Sequence, residues 1–280
     1  MACRRSHALP LAIGALLVTF SAACAQQSYT LRYHPNAGHV QNYTASVAGK
    51  GTLQLGEDKQ QLQLSGSLSL AEKCLGSYKG GARLVEVRLL GGKLALAADQ
   101  PAMELDEARL VVARDALGRI VEVKDSQGLD LAAGGLPLNL GALTSALSQV
   151  TCFPAQPVPV GGSWSSTQNI PLGDQRSLAI SSRSVLKLVA RQGSRSVAVI
   201  DSQLTVPLEI PLPSMNLALS GKIAANLRSF VFLDDGALYK SICRAAVNLV
   251  AYTTREGKQQ FVGRLQLPDL TAQIAARGAD

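Results

Sequence analysis

The sequence predicts a mainly β protein made of two consecutive antiparallel curved sheets, half-barrel or sandwich-like, with one short mid-chain amphipathic helix. Apolar and polar residues alternate with a period of two over long stretches, which is typical of strands that bury one face. Turn-forming residues separate these stretches. Only one segment has the three-and-four spacing of a helix.

The alternating stretches define the strands. Leucines at 62, 64, 68 and 70 alternate with glutamine and serine. The clearest alternation covers residues 204–212 and includes Pro207 and Pro211. Proline cannot donate a ladder hydrogen bond, so we expect this strand to lie at an edge or to leave the sheet there. Hairpin turns are predicted where glycine joins two apolar stretches, at Leu117-Gly118, Asp234-Asp235-Gly236 and Arg255-Glu256-Gly257-Lys258.

The helix is predicted over Asn139–Val150, where apolar residues recur at spacings of three and four and share one face. The chain on either side of it is weakly repetitive, since each half enters a long strand after a glycine and later carries a glycine-containing hairpin. We therefore expect a signal peptide over 1–24, a first β unit over 25–127, a linker with the helix over 128–156 and a second β unit over 157–275.

The first residues have the pattern of an export signal. Arg4 and Arg5 precede an apolar segment, Ala8–Phe20, that is shorter than the ~20 residues of a membrane-spanning helix. The following Ser21-Ala22-Ala23-Cys24 resembles the lipobox of bacterial lipoproteins, which implies that Cys24 is acylated and becomes the N-terminus. In the alternative, Ala23-Cys24-Ala25 is an A-x-A cleavage site that releases a soluble chain beginning at Gln26.

Three cysteines remain in the folded part, Cys74, Cys152 and Cys243, without the spacing of a metal site. An oxidising compartment permits one disulfide. Cys74 and Cys152 are the predicted pair because both lie near predicted loops, whereas Cys243 lies in a predicted strand. The alternative is three buried, reduced cysteines.

Catalytic and metal-binding patterns are sparse. His34 and His39 are too few for zinc, which needs three or four ligands, so neither a metal nor a cofactor is predicted. Glu104 and Asp106 would share one strand face and are the candidate pair for a hydrolase, a minor hypothesis. After the signal segment, basic residues are scattered singly, and aromatic residues make up only 4% of the chain, a distribution that argues against nucleic-acid binding.

Three segments carry a resemblance to a known family: Leu31–Gly38, Phe153–Trp164 and the Asp-Asp-Gly hairpin. The most specific is Pro157-Val158-Pro159-Val160-Gly161-Gly162-Ser163-Trp164, a Pro-Val-x-x-Gly-x-x-Trp element in which Gly162 replaces a frequent Asp. The chain resembles an uncharacterised domain-of-unknown-function family of exported bacterial proteins, for which no activity or catalytic residue is implied. It is more distantly similar to LolA/LolB-like lipoprotein carriers. We expect Trp164 to anchor the core of the second unit.

These features together predict a non-enzymatic envelope protein that binds an apolar ligand or lipid in a β concavity. Its membrane contact would be the lipid on Cys24, at the periplasmic face of the outer membrane by resemblance to Gram-negative lipoproteins. Without that lipid it would be periplasmic or secreted. The alternative function is a structural or assembly protein of the envelope that contacts partner proteins.

Overall fold

The computed structural model describes residues 27–95, 97, 101–127, 130–133, 136–139, 152–173, 176–212, 217–255 and 258–277. Apart from a 3₁₀ turn at Lys79–Gly81, its regular elements are all strands, which confirms the mainly β prediction. The strands are β1 (Ser28–Tyr29), β2 (Val40–Leu55), β3 (Asp58–Ser77), β4 (Arg83–Ala95), β5 (Met103–Leu105), β6 (Ala108–Arg114), β7 (Ile120–Gln127), β8 (Asp130–Ala133), β9 (Leu136–Asn139), β10 (Val158–Pro159), β11 (Ser163–Gly173), β12 (Arg176–Gln192), β13 (Arg195–Leu212), β14 (Leu217–Phe232), β15 (Leu238–Arg255) and β16 (Lys258–Ala276).

The long strands form one antiparallel 12-stranded sheet in the order β11-β12-β13-β14-β15-β16-β2-β3-β4-β6-β7, with β5 beside β4. The prediction of two separate sheets is therefore wrong: β16 pairs with β2, with Ala276 opposite Tyr43 and Ile274 opposite Ala45. Each half alone would leave an apolar strand unpaired at this edge, and the pairing removes both edges. The outer strands β7 and β11 approach each other without a ladder in the described residues, so the sheet is nearly closed.

Two segments cross one end of the sheet, and we call residues 27–39 and 152–162 the cap. They are joined by the short antiparallel pair β1 and β10 and are otherwise largely irregular. The Tyr33 amide donates to the Ala116 carbonyl (2.9 Å) and the His34 amide to the Asp235 carbonyl (2.7 Å), so the cap contacts turns from both halves. The Arg32 Nη1 atom donates to the Pro154 carbonyl (2.8 Å) and joins the two cap segments. The main core lies directly beneath the cap, where Leu31, Leu186 and Ile200 are fully buried.

One charged group is buried in this core. The Arg114 guanidinium is only 4% exposed and its Nη1 atom lies 3.1 Å from Oε2 of Glu72. The other Glu72 oxygen accepts a hydrogen bond from the Tyr33 hydroxyl (2.7 Å), and the guanidinium lies 5.2 Å from the centre of the Tyr33 ring. Burial, followed by the negative charge of Glu72, raises the pKa of Tyr33 well above its usual value, so this hydroxyl remains a hydrogen-bond donor. The cluster thus connects the cap to β3 and β6.

The Asp234-Asp235-Gly236 turn predicted from the sequence is present, and its glycine meets two requirements. Gly236 has a φ of +71°, and a Cβ there would lie 2.8 Å from Cε2 of Phe153 and closer still to the Arg32 carbonyl oxygen. Both neighbours belong to the cap. The turn therefore fits under the cap only with glycine.

Gly236→Ala is expected to lower the free energy of unfolding by about 2–4 kcal/mol, because left-handed strain adds to displacement of the cap. Gly193→Ala is the matched control, since Gly193 has a φ of +57° but open space around its Cβ position. That control should lose only about 1–2 kcal/mol. Urea denaturation of the two variants measures the difference, and equal losses would mean that the cap does not press on this turn.

Two local predictions also need correction or refinement. Asn139 ends strand β9, which pairs with β8, and does not begin a helix; the rest of the predicted helix, residues 140–150, lies outside the described residues. Strand β13 is interior, but its pairing with β12 ends at Thr205 while pairing with β14 continues to Leu212. Among the described residues, Pro207 and Pro211 thus lie in a part of β13 that pairs only with β14, as their missing N–H groups require.

Within the described residues, no helix combines the length and hydropathy needed to cross a membrane.

Candidate ligand-binding site

The inner face of the sheet can be assigned from the registers, because directly opposite residues of antiparallel strands share a face. Leu186 and Ile200 are opposite each other and fully buried on the inner face. Arg183 on β12 and Arg244 on β15 occupy the alternate positions of their strands, whose side chains point away from the inner face, and both are exposed. The inner face is therefore concave and apolar, and the outer face is polar.

Small side chains dominate two adjacent cross-strand rows of this inner face. One row runs from Ser184 on β12 to Ala272 on β16, and the next runs from Ser166 on β11 to Ala245 on β15. Each row contains one large side chain, Leu227 in the first and Leu204 in the second. We call their small residues the small-residue belt: Ser166, Ser182, Ser184, Ser202, Ala225, Cys243, Ala245 and Ala272. Larger aliphatic side chains lie on both sides of the belt along the strands.

Burial on the inner face decreases with distance from the cap. Leu186 and Ile200, on the cap side of the belt, have 0% exposure. Beyond the belt, a second apolar cluster contains Val206 and Val247, which are 9% and 8% exposed, and it packs against partly buried neighbours such as Ile223. Within the belt, Ser184 and Ser202 are 1% and 2% exposed, whereas Cys243, Ala245 and Ala272 are only partly buried. The belt is therefore closed at β12 and β13 and partly open to solvent at β15 and β16.

The hydroxyl groups of the belt are paired with each other. The Ser184 and Ser202 Oγ atoms lie 2.8 Å apart, and those of Ser166 and Ser182 lie 2.7 Å apart. Satisfied hydroxyls do not need water, so an apolar group can cover them without leaving a buried donor unpaired.

A pocket of roughly 530 Å³ lies at the seam between the two edges of the sheet. Its walls are Leu117 and Arg119 from the turn after β6, the cap segment 152–158 and residues 163–167 of β11. The side chains of Trp164 and Ser166 point to the inner face. Both residues line the pocket, and each lies at the β11 end of one of the two rows. The volume is within the range of small-molecule sites, about 300–1,000 Å³. We call this space the seam pocket.

Trp164 holds the cap segment against β11. Its Nε1 atom donates to the Cys152 carbonyl (2.7 Å), and its ring packs against the main core. The Cys152 thiol contacts the side-chain amide of Gln168. Burial raises the pKa of this thiol, so it is protonated at neutral pH.

The predicted Cys74–Cys152 disulfide is not formed. Both cysteines are buried and free, and the Cys74 Sγ atom lies 3.6 Å from the Pro35 carbonyl oxygen, a different environment from that of Cys152. Proximity to predicted loops was an inadequate guide to pairing, because Cys74 lies inside strand β3.

Cys243 should be the most accessible thiol among Cys74, Cys152 and Cys243, because it is only partly buried whereas the other two are 2% and 4% exposed. Burial raises the pKa of Cys243, so its alkylation rate should keep increasing with pH above the usual thiol range. Timed alkylation followed by peptide mapping measures this order. Cys243→Ser should abolish the fast modification; fast modification of Cys74 or Cys152 would contradict the assignment of the inner face.

The remaining residues singled out by sequence lie elsewhere. Cys24 lies outside the described residues. The ring of His34 contacts Arg83 (2.6 Å) on the surface of the cap. Glu104 is 69% exposed and paired with Lys93 (2.8 Å), and Asp106 is also exposed. In the part of the chain that the structure describes, no three potential metal ligands come together.

Sequence reasoning missed the belt and Arg119. Serine and alanine at inward positions weaken the alternation of apolar and polar residues along a strand, so the sequence does not reveal that they share the inner face. Their alignment depends on the register of six strands, which the sequence does not state.

No family model matches this chain, and no curated protein matches it. Among solved structures, it is similar to DynF from the dynemicin biosynthesis pathway of Micromonospora chersina. The two chains are 8% identical, the similarity covers 90% of this chain and 86% of DynF, and the TM-score is 0.26. A TM-score of this size supports no inference about function.

Proposed function

We propose that this protein binds an apolar ligand, such as the acyl chain of a lipid, on the concave face of its sheet, and that it acts by binding and not by catalysis. The observation that carries the proposal is the small-residue belt, which runs from the seam pocket across the inner face between two apolar clusters.

The energetic reason is the burial of apolar surface. Cys243, Ala245 and Ala272 of the belt are only partly buried and so remain available to a ligand. An acyl chain bound against them would gain about 0.8 kcal/mol for each methylene removed from water. The paired serine hydroxyls make this burial inexpensive.

The proposed location is the bacterial envelope, with Cys24 acylated and the domain at the periplasmic face of the outer membrane. An acyl-binding domain anchored beside a membrane would have its ligand nearby. The intact mass of the mature protein tests the anchor: a diacyl increment on Cys24 supports it, and a free Gln26 terminus means release into the periplasm or medium.

The binding proposal is tested with delipidated protein. A fluorescent acyl probe should bind saturably at a single site, and an unlabelled fatty acid should displace it. Absence of binding to fatty acid, phospholipid and probe would refute the proposal. In that case, recovery of one stoichiometric partner by cross-linking in intact cells would favour the alternative role in envelope assembly.

A further inference from the structure

We propose that the ligand is a single-chain amphiphile with an anionic head group and that Arg119, in the seam pocket, determines this preference. This inference rests on the proposed function and extends it from an apolar chain to a class of lipid. It is carried by the position of Arg119, by the charges around the pocket and by the pocket's connection to the belt.

Arg119 is held firmly on one wall of the pocket. Its Nε and Nη2 atoms both donate to the same Asp115 oxygen, Oδ2, at 2.7 and 2.6 Å. The other oxygen, Oδ1, accepts from the Leu117 and Arg119 amides, both at 2.9 Å, which fixes Asp115 in its turn. The Nη1 atom of Arg119 donates a hydrogen bond to none of the described residues. A fixed guanidinium with a spare donor is well suited to a carboxylate or phosphate.

The charge around the pocket is positive. Arg32 lies behind the cap wall, and its Nη1 and Nη2 atoms donate to the carbonyl oxygens of Pro154 and Ala155 at 2.8 and 2.6 Å. Neutral carbonyls do not cancel its charge. Two arginines therefore accompany one carboxylate, Asp115, and a bound anion would balance the excess.

The opposite wall of the pocket leads to the apolar face. Trp164 and Ser166 begin the two rows of the belt on that side. An acyl chain lying along the belt would bring its head group into the seam pocket, opposite Arg119. Ser163, Ser165 and Thr167 occupy the alternate positions of β11 and are exposed, so their hydroxyl groups line the outer side of the pocket, where they can also donate to an anionic oxygen.

The test compares a long-chain fatty acid with the alcohol of the same chain length at neutral pH. The unmodified protein should bind the acid at least about tenfold more tightly, since a charge-assisted hydrogen bond to Arg119 is stronger than a neutral one. In Arg119→Gln the preference should disappear while the affinity for the alcohol is retained. Arg119→Lys should restore part of the preference by keeping the charge.

Arg191→Gln is the control, because Arg191 is an exposed arginine on β12 that does not line the pocket. Equal binding of acid and alcohol by the unmodified protein would overturn the inference but leave the proposed function standing. An equal loss of both ligands in Arg119→Gln, with the fold retained by circular dichroism, would also overturn it. Failure of both ligands to bind the unmodified protein would instead refute the proposed function.

Discussion

Replacement of Glu72 by glutamine is expected to lower the free energy of unfolding by about 3–5 kcal/mol, the usual cost of leaving a buried charge without its partner. Glu72 is the carboxylate that contacts Arg114, and Arg114 is 4% exposed on its side chain. The Nε and Nη2 atoms of Arg114 are buried without a hydrogen-bond partner in the described residues, so little else there compensates its charge. Glutamine has the same size as glutamate and still accepts the hydrogen bond from the Tyr33 hydroxyl. The measured change therefore reports the loss of the negative charge alone.

Urea denaturation measures the change, and Glu104→Gln serves as control. Glu104 is 69% exposed in its ion pair with Lys93, so its loss should change stability by no more than about 0.5 kcal/mol. A double variant, Glu72→Gln with Arg114→Met, should recover much of the stability because it removes both charges together and keeps an acceptor for the Tyr33 hydroxyl. If Glu72→Gln costs no more than Glu104→Gln, the buried pair does not stabilise the cap.

Ala245→Phe is expected to weaken acyl binding by at least about tenfold, or 1.4 kcal/mol, because the phenyl ring would occupy the belt. Ala245 is partly buried on the inner face and lies opposite Ala225 and Leu270. Overpacking can cost about 1–3 kcal/mol of stability, so the thermal midpoint of each variant must be measured with its affinity.

Ala246→Phe is the matched control. Ala246 is the next residue, is exposed on the outer face and lies opposite Ala224. The same substitution there should leave acyl affinity unchanged. Equal affinities of the two folded variants would place the ligand away from the belt.

The strands were predictable from sequence because their signal is local. The leucine alternation at 62–70 lies within β3, and the alternation at 204–212 lies within β13. Gly236 was also recognised within its turn, since turn chemistry depends on a few adjacent residues. The sheet order was not predictable in the same way, because β16 and β2 come from opposite ends of the chain.

The candidate site was less predictable than the fold. Trp164 was singled out as a core anchor, but its second role, in lining the seam pocket, depends on the cap segment that reaches it. Arg119 appears in the sequence as an ordinary charged residue after a turn. Only the approach of β7 and β11 gives it a pocket to face. Such non-local contacts have no periodic signature.

The central claim, that an acyl chain lies along the belt, can be tested with the chain's single tryptophan. Trp164 begins one row of the belt and lines the seam pocket, so a fatty acid brominated along its chain should come close enough to quench its fluorescence. We predict saturable quenching by the brominated acid at one equivalent, with no quenching by the unbrominated acid, which should compete. Saturable binding of the brominated acid without any quenching of Trp164 would contradict the account.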